Sequence, residues 1–228
     1  MLDKLPARTA AAGLLLPVCL VVLLSALSRR VVRSNAMALS DAVLLESLAL
    51  ELALAGTVGF WLWRRGWRPL QSATYRFDRL DLPRGIALWG AAIIAVGAWA
   101  FLCRILIPDL LQVAKQVHIL GGAHFSVSLI YSAINAVFEE FLWLGLGFAA
   151  FRRYGDLVAG SISAALRVLA HVYQGPLALV TVLPVAVLFT LYYARTRRLW
   201  PVIVAHAFQD TLALSLLAKA AGGVHLPG

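Results

Sequence analysis

Two adjacent glutamates, Glu139 and Glu140, sit inside a strongly apolar stretch, with Asn135 four residues before the first. Further on, Arg167 and His171 are four residues apart, and so are His206 and Asp210. Residues four apart share one face of a helix, so each pair acts from one side. Carboxylates and imidazoles gathered in apolar surroundings are the residue types of acid–base catalysis, of zinc binding and of proton transfer. An ionisable group at the middle of a membrane helix costs very roughly 2.5–3.5 kcal/mol on insertion scales. Such groups must therefore pair with one another or line a wet cavity, and several of them on three segments mark a site.

The segments that carry them are membrane spans by composition. Of the 228 residues, 61% are hydrophobic and only 14% charged, where a soluble domain carries about 25% charged residues. The length allows roughly six to eight spans of about 20 residues and no separate soluble domain. Seven apolar stretches stand out, at about 10–28, 42–63, 85–107, 126–150, 156–174, 176–194 and 199–217. They lack the alternation of a barrel, and hydrocarbon leaves no backbone group unpaired, so all seven read as helices. The expected fold is all-α, a polytopic transmembrane helix bundle. Residues 1–125 hold the N-terminal helices and an interfacial loop, 126–217 the core helices with the polar residues, and 218–228 a tail. The interfacial loop spans Arg64 to Arg84, where Trp67, Tyr75 and Phe77 alternate with arginines. That mixture suits a loop or a short surface helix at the headgroup level.

The net charge of +9 does not form a nucleic-acid patch, because the arginines fall in short clusters between apolar stretches. Seven spans put 13 Lys and Arg on one side and 5 on the other, which predicts a cytoplasmic N-terminus and an outer C-terminus in a multi-pass cell-membrane protein. The apolar run after Lys4 and Arg8 reads as an uncleaved first span, since three arginines separate it from the signal-peptidase-like Ala36-Met37-Ala38. Depth agrees with this topology. At about 1.5 Å per residue, Glu139 and His171 lie about 20 Å from their cytoplasmic ends, and His206 and Asp210 about 12 and 18 Å. All fall towards the middle of a core about 30 Å thick. Cys19 and Cys103 have no metal-type spacing and read as small buried side chains.

Glu139-Glu140, a histidine on the next span and His-x-x-x-Asp on the last resemble the CPBP (Abi) family. That family includes the type II CAAX prenyl endopeptidases and the bacteriocin-processing or immunity proteins, and its pattern is EExxxR, FxxxH and HxxxN or HxxxD. The resemblance covers about residues 126–215. It implies an intramembrane endopeptidase in which Glu139, helped by His171, activates a water, while His206 and Asp210 stabilise the oxyanion. It implies no required cofactor. Two positions depart from the pattern: Leu144 stands where the family has Arg, and Arg167 where it has Phe. An arginine moved from one span to the next would compensate, with Glu140 as its expected partner. The site thus comprises Glu139, Glu140, His171, His206, Asp210 and Arg167.

Two other classes use the same residues. A zinc protease could hold its metal on the histidines and carboxylates, although no HExxH is present. A catalytically silent membrane partner, an immunity-type protein or a proton-coupled transporter could also retain buried Glu and His. The expected partners of the enzyme reading are the lipid bilayer and a peptide or protein substrate that reaches the site from the membrane. The remaining polar residues read more plainly. Glu46 and Glu51 are five apart and off one face, and serve as structural hydrogen-bonding groups. His118 and His124 belong to a solvated loop, and His225 to the tail.

Overall fold

A 30-residue apolar segment, Phe125–Tyr154, runs through the middle of the molecule: 61% of its apolar window is buried, against 17% for Asp41–Arg64 and Asp81–Leu106. The computed structural model describes residues 6–31, 36–67, 76–115, 118–120 and 122–222. Helix α1 is Ala7–Val31, α2 Asp41–Arg64, α3 Asp81–Leu106 and α4 Pro108–Lys115. The central segment comprises α5 (Phe125–Glu140), a π-helical turn (Phe141–Leu146), α6 (Gly147–Phe151) and a 3-10 turn (Arg152–Tyr154). Then follow α7 (Asp156–Ala170), α8 (Leu177–Thr196) and α9 (Trp200–Gly222). The chain is a helical bundle, and helices overlie the predicted apolar stretches, the fifth of them only in part. Four of them, Asp41–Arg64, Asp81–Leu106, Phe125–Tyr154 and Leu177–Thr196, are long and apolar enough to cross a membrane.

Two apolar clusters clamp the central segment from opposite sides. On one side, Leu14 and Val18 of α1 and Leu54, Val58 and Leu62 of α2 pack on Phe138, Leu142, Trp143 and Leu146. On the other, Leu88 and Ala92 of α3, Phe189 and Tyr193 of α8 and Val202 and Ala205 of α9 pack on Ala136, Leu144 and Phe148. Helices α1 and α2 thus pack directly on the segment that carries Glu139 and Glu140. Outward faces stay apolar: Ile94, Phe101 and Leu157 are exposed, which hydrocarbon tolerates and water does not.

Helices α3 and α9 touch at backbone distance through Gly85. A Cβ built there would lie 2.5 Å from Val204 Cβ and 2.9 Å from the Pro201 carbonyl oxygen. Small residues permit such approaches between membrane helices. Gly85→Ala is expected to push α9 off α3 and cost about 1–3 kcal/mol, the range for overpacking. Thermal unfolding in detergent checks it, with Gly90→Ala as the control, because a Cβ at Gly90 meets nothing. Equal melting temperatures for the two variants would contradict the contact.

Two expectations need correction. The predicted fifth span, 156–174, is not one helix: α7 stops at Ala170 after 15 residues, and a 3-10 turn covers Val172–Gln174. Gly175 at φ +61 and Pro176 break the chain, because the first conformation favours glycine and the second residue lacks an N–H. Fifteen residues span only about 22 Å, too short to cross a hydrocarbon core about 30 Å thick. A two-stranded ribbon of three residues a strand, β1 (Ala36–Ala38) paired in parallel with β2 (His118–Leu120), accompanies the helices without altering the all-α class. His124 is exposed, as a solvated loop residue should be, and its backbone N–H and its Nδ1 both bond Asp41, at 2.8 and 2.5 Å. The second correction concerns the cysteines: Cys19 is exposed, and only Cys103 is buried.

The described part of the interfacial segment does not behave as a surface helix. Trp67 is buried and its ring meets Phe141 at 5.2 Å, while Phe77 meets Trp200 edge-on at 5.4 Å. Arg198, just before α9, grips the fully buried Asp81 with two hydrogen bonds of 2.7 and 2.8 Å. Arg68 and Tyr75, like His225, lie outside the described residues.

Candidate active site

Helix α5 organises the site because Tyr131, Asn135 and Glu139 recur every four residues and form one stripe. Each holds a group from another helix. The Tyr131 hydroxyl donates to Glu51 Oε1 of α2 at 3.4 Å. The Asn135 amide donates to Asp210 Oδ2 of α9 at 2.9 Å. Glu139 faces both histidines, with Oε1 3.8 Å from His171 Nε2 and Oε2 4.0 Å from His206 Nε2. The stripe ends at the π-helical turn that begins after Glu140. Such turns concentrate at functional sites. The wider turn is braced from α7, where Ser163 Oγ donates to the Trp143 carbonyl at 2.5 Å.

The two glutamates face different surroundings. Glu140 is completely buried and forms a buried ion pair with the guanidinium of Arg167. Its other oxygen, Oε1, accepts from His206 Nδ1 at 2.6 Å. The Arg167 guanidinium also lies over the Phe189 ring, 5.6 Å from its centre. Phe189 belongs to the same apolar cluster as Leu144. Leu144 itself is fully buried, so the space near the expected arginine is filled by leucine while the charge arrives from α7. Glu139, in contrast, keeps 15% of its side chain exposed, as does His171. Its firmest contact is the Trp143 indole N–H, 3.2 Å from Oε2.

The tautomers follow from the partners. His171 sits where α7 ends, and its Nδ1 is 2.8 Å from the Arg167 carbonyl oxygen. A carbonyl only accepts, so Nδ1 carries the hydrogen and Nε2 is turned to Glu139. The broken helix thus gives the imidazole its orientation, and the same residue supplies both the ion pair and this anchor. His206 donates from Nδ1 to Glu140, which points Nε2 towards Asp210 at 3.4 Å and towards Glu139. Asp210 receives both Asn135 and His206 on Oδ2, so it acts as an acceptor that orients its neighbours.

All six predicted residues therefore converge, from α5, α7 with its C-terminal turn, and α9. A carboxylate and an imidazole nitrogen 3.8 Å apart are too far for a direct hydrogen bond and close enough for one water to touch both. Among the described residues, no group of three or more His, Cys, Asp and Glu is arranged to hold a metal ion. Three neighbours were not assigned to the site from the sequence. Trp143, four residues after Glu139, carried the same spacing signal as Asn135. Tyr131, eight before Glu139, extended it. Glu51 offered no spacing signal, because the packing of α2 on α5 brings it in.

Residues 121–212 match the family described as Type II CAAX prenyl endopeptidase Rce1-like, in keeping with the CPBP resemblance. The match contains every residue of the cluster except Glu51. No curated protein and no solved structure matches the chain.

Proposed function

We propose that this chain, whose residues 121–212 carry the signature of an Rce1-like protease family, is an intramembrane endopeptidase of the glutamate type. The observation that carries the reading is the division between a sealed Glu140–Arg167 pair and a half-open Glu139 facing two imidazoles. Glu139 accepts a proton from water, and the oxygen attacks the scissile carbonyl carbon. His171 Nε2, oriented by the Arg167 carbonyl, holds that water. Negative charge develops on the carbonyl oxygen. His206, flanked by Glu140 and Asp210 and protonated on Nε2, donates to it. The proton on Glu139 then passes to the leaving amine as the C–N bond breaks. Asp210 need not donate to the oxyanion, since Asn135 and His206 fix it as an acceptor. The substrate is a peptide or protein segment that enters from the bilayer, with the N-terminus of the enzyme on the cytoplasmic face.

The proposed mechanism uses no metal. Cleavage of a defined membrane-anchored peptide by protein purified into lipid nanodiscs is expected to proceed at an unchanged rate after exhaustive treatment with a strong zinc chelator. Loss of cleavage on chelation, restored by added zinc, would replace this mechanism with a zinc one.

A further inference from the structure

Glu139 has no close ionic partner to fix it, because the two imidazole nitrogens stand 3.8 and 4.0 Å from its oxygens. A carboxylate free to turn would offer a water either oxygen, or neither. One hydrogen bond decides between them. The Trp143 indole N–H donates to Oε2 at 3.2 Å, and among the described residues no other hydrogen bond reaches Glu139. Oε2 is thereby occupied, and Oε1 is the oxygen turned to His171 Nε2. The indole is itself held. Trp143 is fully buried, in one apolar cluster with Leu14 and Val18 of α1 and Leu54 and Leu62 of α2.

The π-helical turn is what aims that indole. At its end the Gly147 N–H reaches back five residues, to the Leu142 carbonyl, and α6 begins at Gly147. α-Helical bonding reaches back four, which takes Phe148 to Leu144 and passes over the Trp143 carbonyl. A buried carbonyl left out of the ladder needs another donor, and Ser163 Oγ supplies it. Ser163, Arg167 and His171 recur every four residues. They meet the Trp143 carbonyl, the Glu140 carboxylate and Glu139 in turn. One face of α7 and its terminal turn thus sets the register of the π turn and of both glutamates together. We infer that Trp143 is a positioning residue: its N–H ties Oε2 of Glu139 and leaves Oε1 as the basic oxygen beside His171. This role rests on the endopeptidase reading and deepens it.

Trp143→Phe removes the N–H together with part of the ring. Benzothienylalanine at position 143 removes the N–H alone, since sulfur takes its place in a ring of the same shape. Each variant is expected to lower kcat about ten- to a hundredfold with KM little changed, the loss of one hydrogen bond to a charged group that matters in the reacting state. A tryptophan needed only for packing would leave the benzothienylalanine protein with wild-type kcat. That result overturns the inference and leaves the endopeptidase reading standing. The benzothienylalanine protein serves alone should Trp143→Phe fail to fold. The bond itself is read without cleavage, by ¹⁵N NMR of tryptophan-labelled protein in detergent. The Trp143 indole signal, identified by its loss when benzothienylalanine replaces the residue, is expected to move upfield in its proton shift in Glu139→Ala. An unmoved signal overturns the inference whether or not the protein cleaves. Wild-type protein that shows the shift yet cleaves no peptide fails the endopeptidase reading, and the positioning role falls with it.

Discussion

Glu139→Gln is expected to lower kcat for peptide cleavage by a factor of about 10² to 10⁴, the range that a positioned general base contributes. The protein should remain folded. Glu139 has no ion pair as short as that of Glu140, and its closest hydrogen bond comes from Trp143 Nε1 at 3.2 Å. A glutamine oxygen can still accept that bond. Glu140→Gln should differ by losing stability as well. It strips the charge from a fully buried group that holds both Arg167 and His206, so the melting temperature falls along with activity. Steady-state kinetics and thermal unfolding on the two variants, side by side, check the division. If Glu139→Gln cleaves at the wild-type rate, the assignment of the base is wrong. If Glu140→Gln melts as the wild type does, the sealed pair is not the structural anchor described.

Arg167→Ala is the second large effect. Removing one partner of a buried pair costs about 3–5 kcal/mol, because the other charge is left uncompensated. Here the abandoned group is Glu140, completely buried, with only His206 left beside it. The same change removes a guanidinium over the Phe189 ring. Activity should fall with stability, since Glu140 also orients His206. Arg167→Phe combined with Leu144→Arg puts the arginine back where the CPBP pattern has it, and is expected to recover part of the lost stability. Thermal unfolding of the single and double variants decides it. A silent Arg167→Ala would show that the pair contributes nothing. A double variant no better than Arg167→Phe alone would mean that the two positions do not substitute for each other.

What could be read in advance divides along physical lines. Apolar stretches of about 20 residues are a strong signal, because the bilayer sets both their length and their composition. The helix bundle and the approximate extent of each helix were therefore legible. The polar residues stood out for the same reason, as costly groups in apolar surroundings, and the four-residue spacings placed Asn135 beside Glu139. The break after Ala170 was less visible. Gly175-Pro176 marks a turn, but the apolar residues run on to Val172 and conceal how early α7 stops. His171 was accordingly placed inside a helix, whereas it owes its orientation to the helix end. The π-helical turn leaves no spacing signal of its own, since Phe141–Leu146 is as apolar as its flanks. Glu51 was beyond the reach of sequence spacing altogether. Its neighbour Tyr131 is 80 positions away, and only the packing of α2 on α5 joins them. The same holds for the Arg198–Asp81 contact, separated by 117 positions.

The most direct test of the central claim is mass spectrometry of cleavage products formed in ¹⁸O-labelled water. Wild-type protein in nanodiscs would be incubated with a library of membrane-anchored peptides, beside Glu139→Gln protein of matched folding. The expected result is discrete cleavage by the wild type, with ¹⁸O from solvent in each newly formed C-terminal carboxyl, and no such products from Glu139→Gln. Folded wild-type protein that yields no products, or labelled products formed equally by Glu139→Gln, would contradict hydrolysis by a Glu139-activated water.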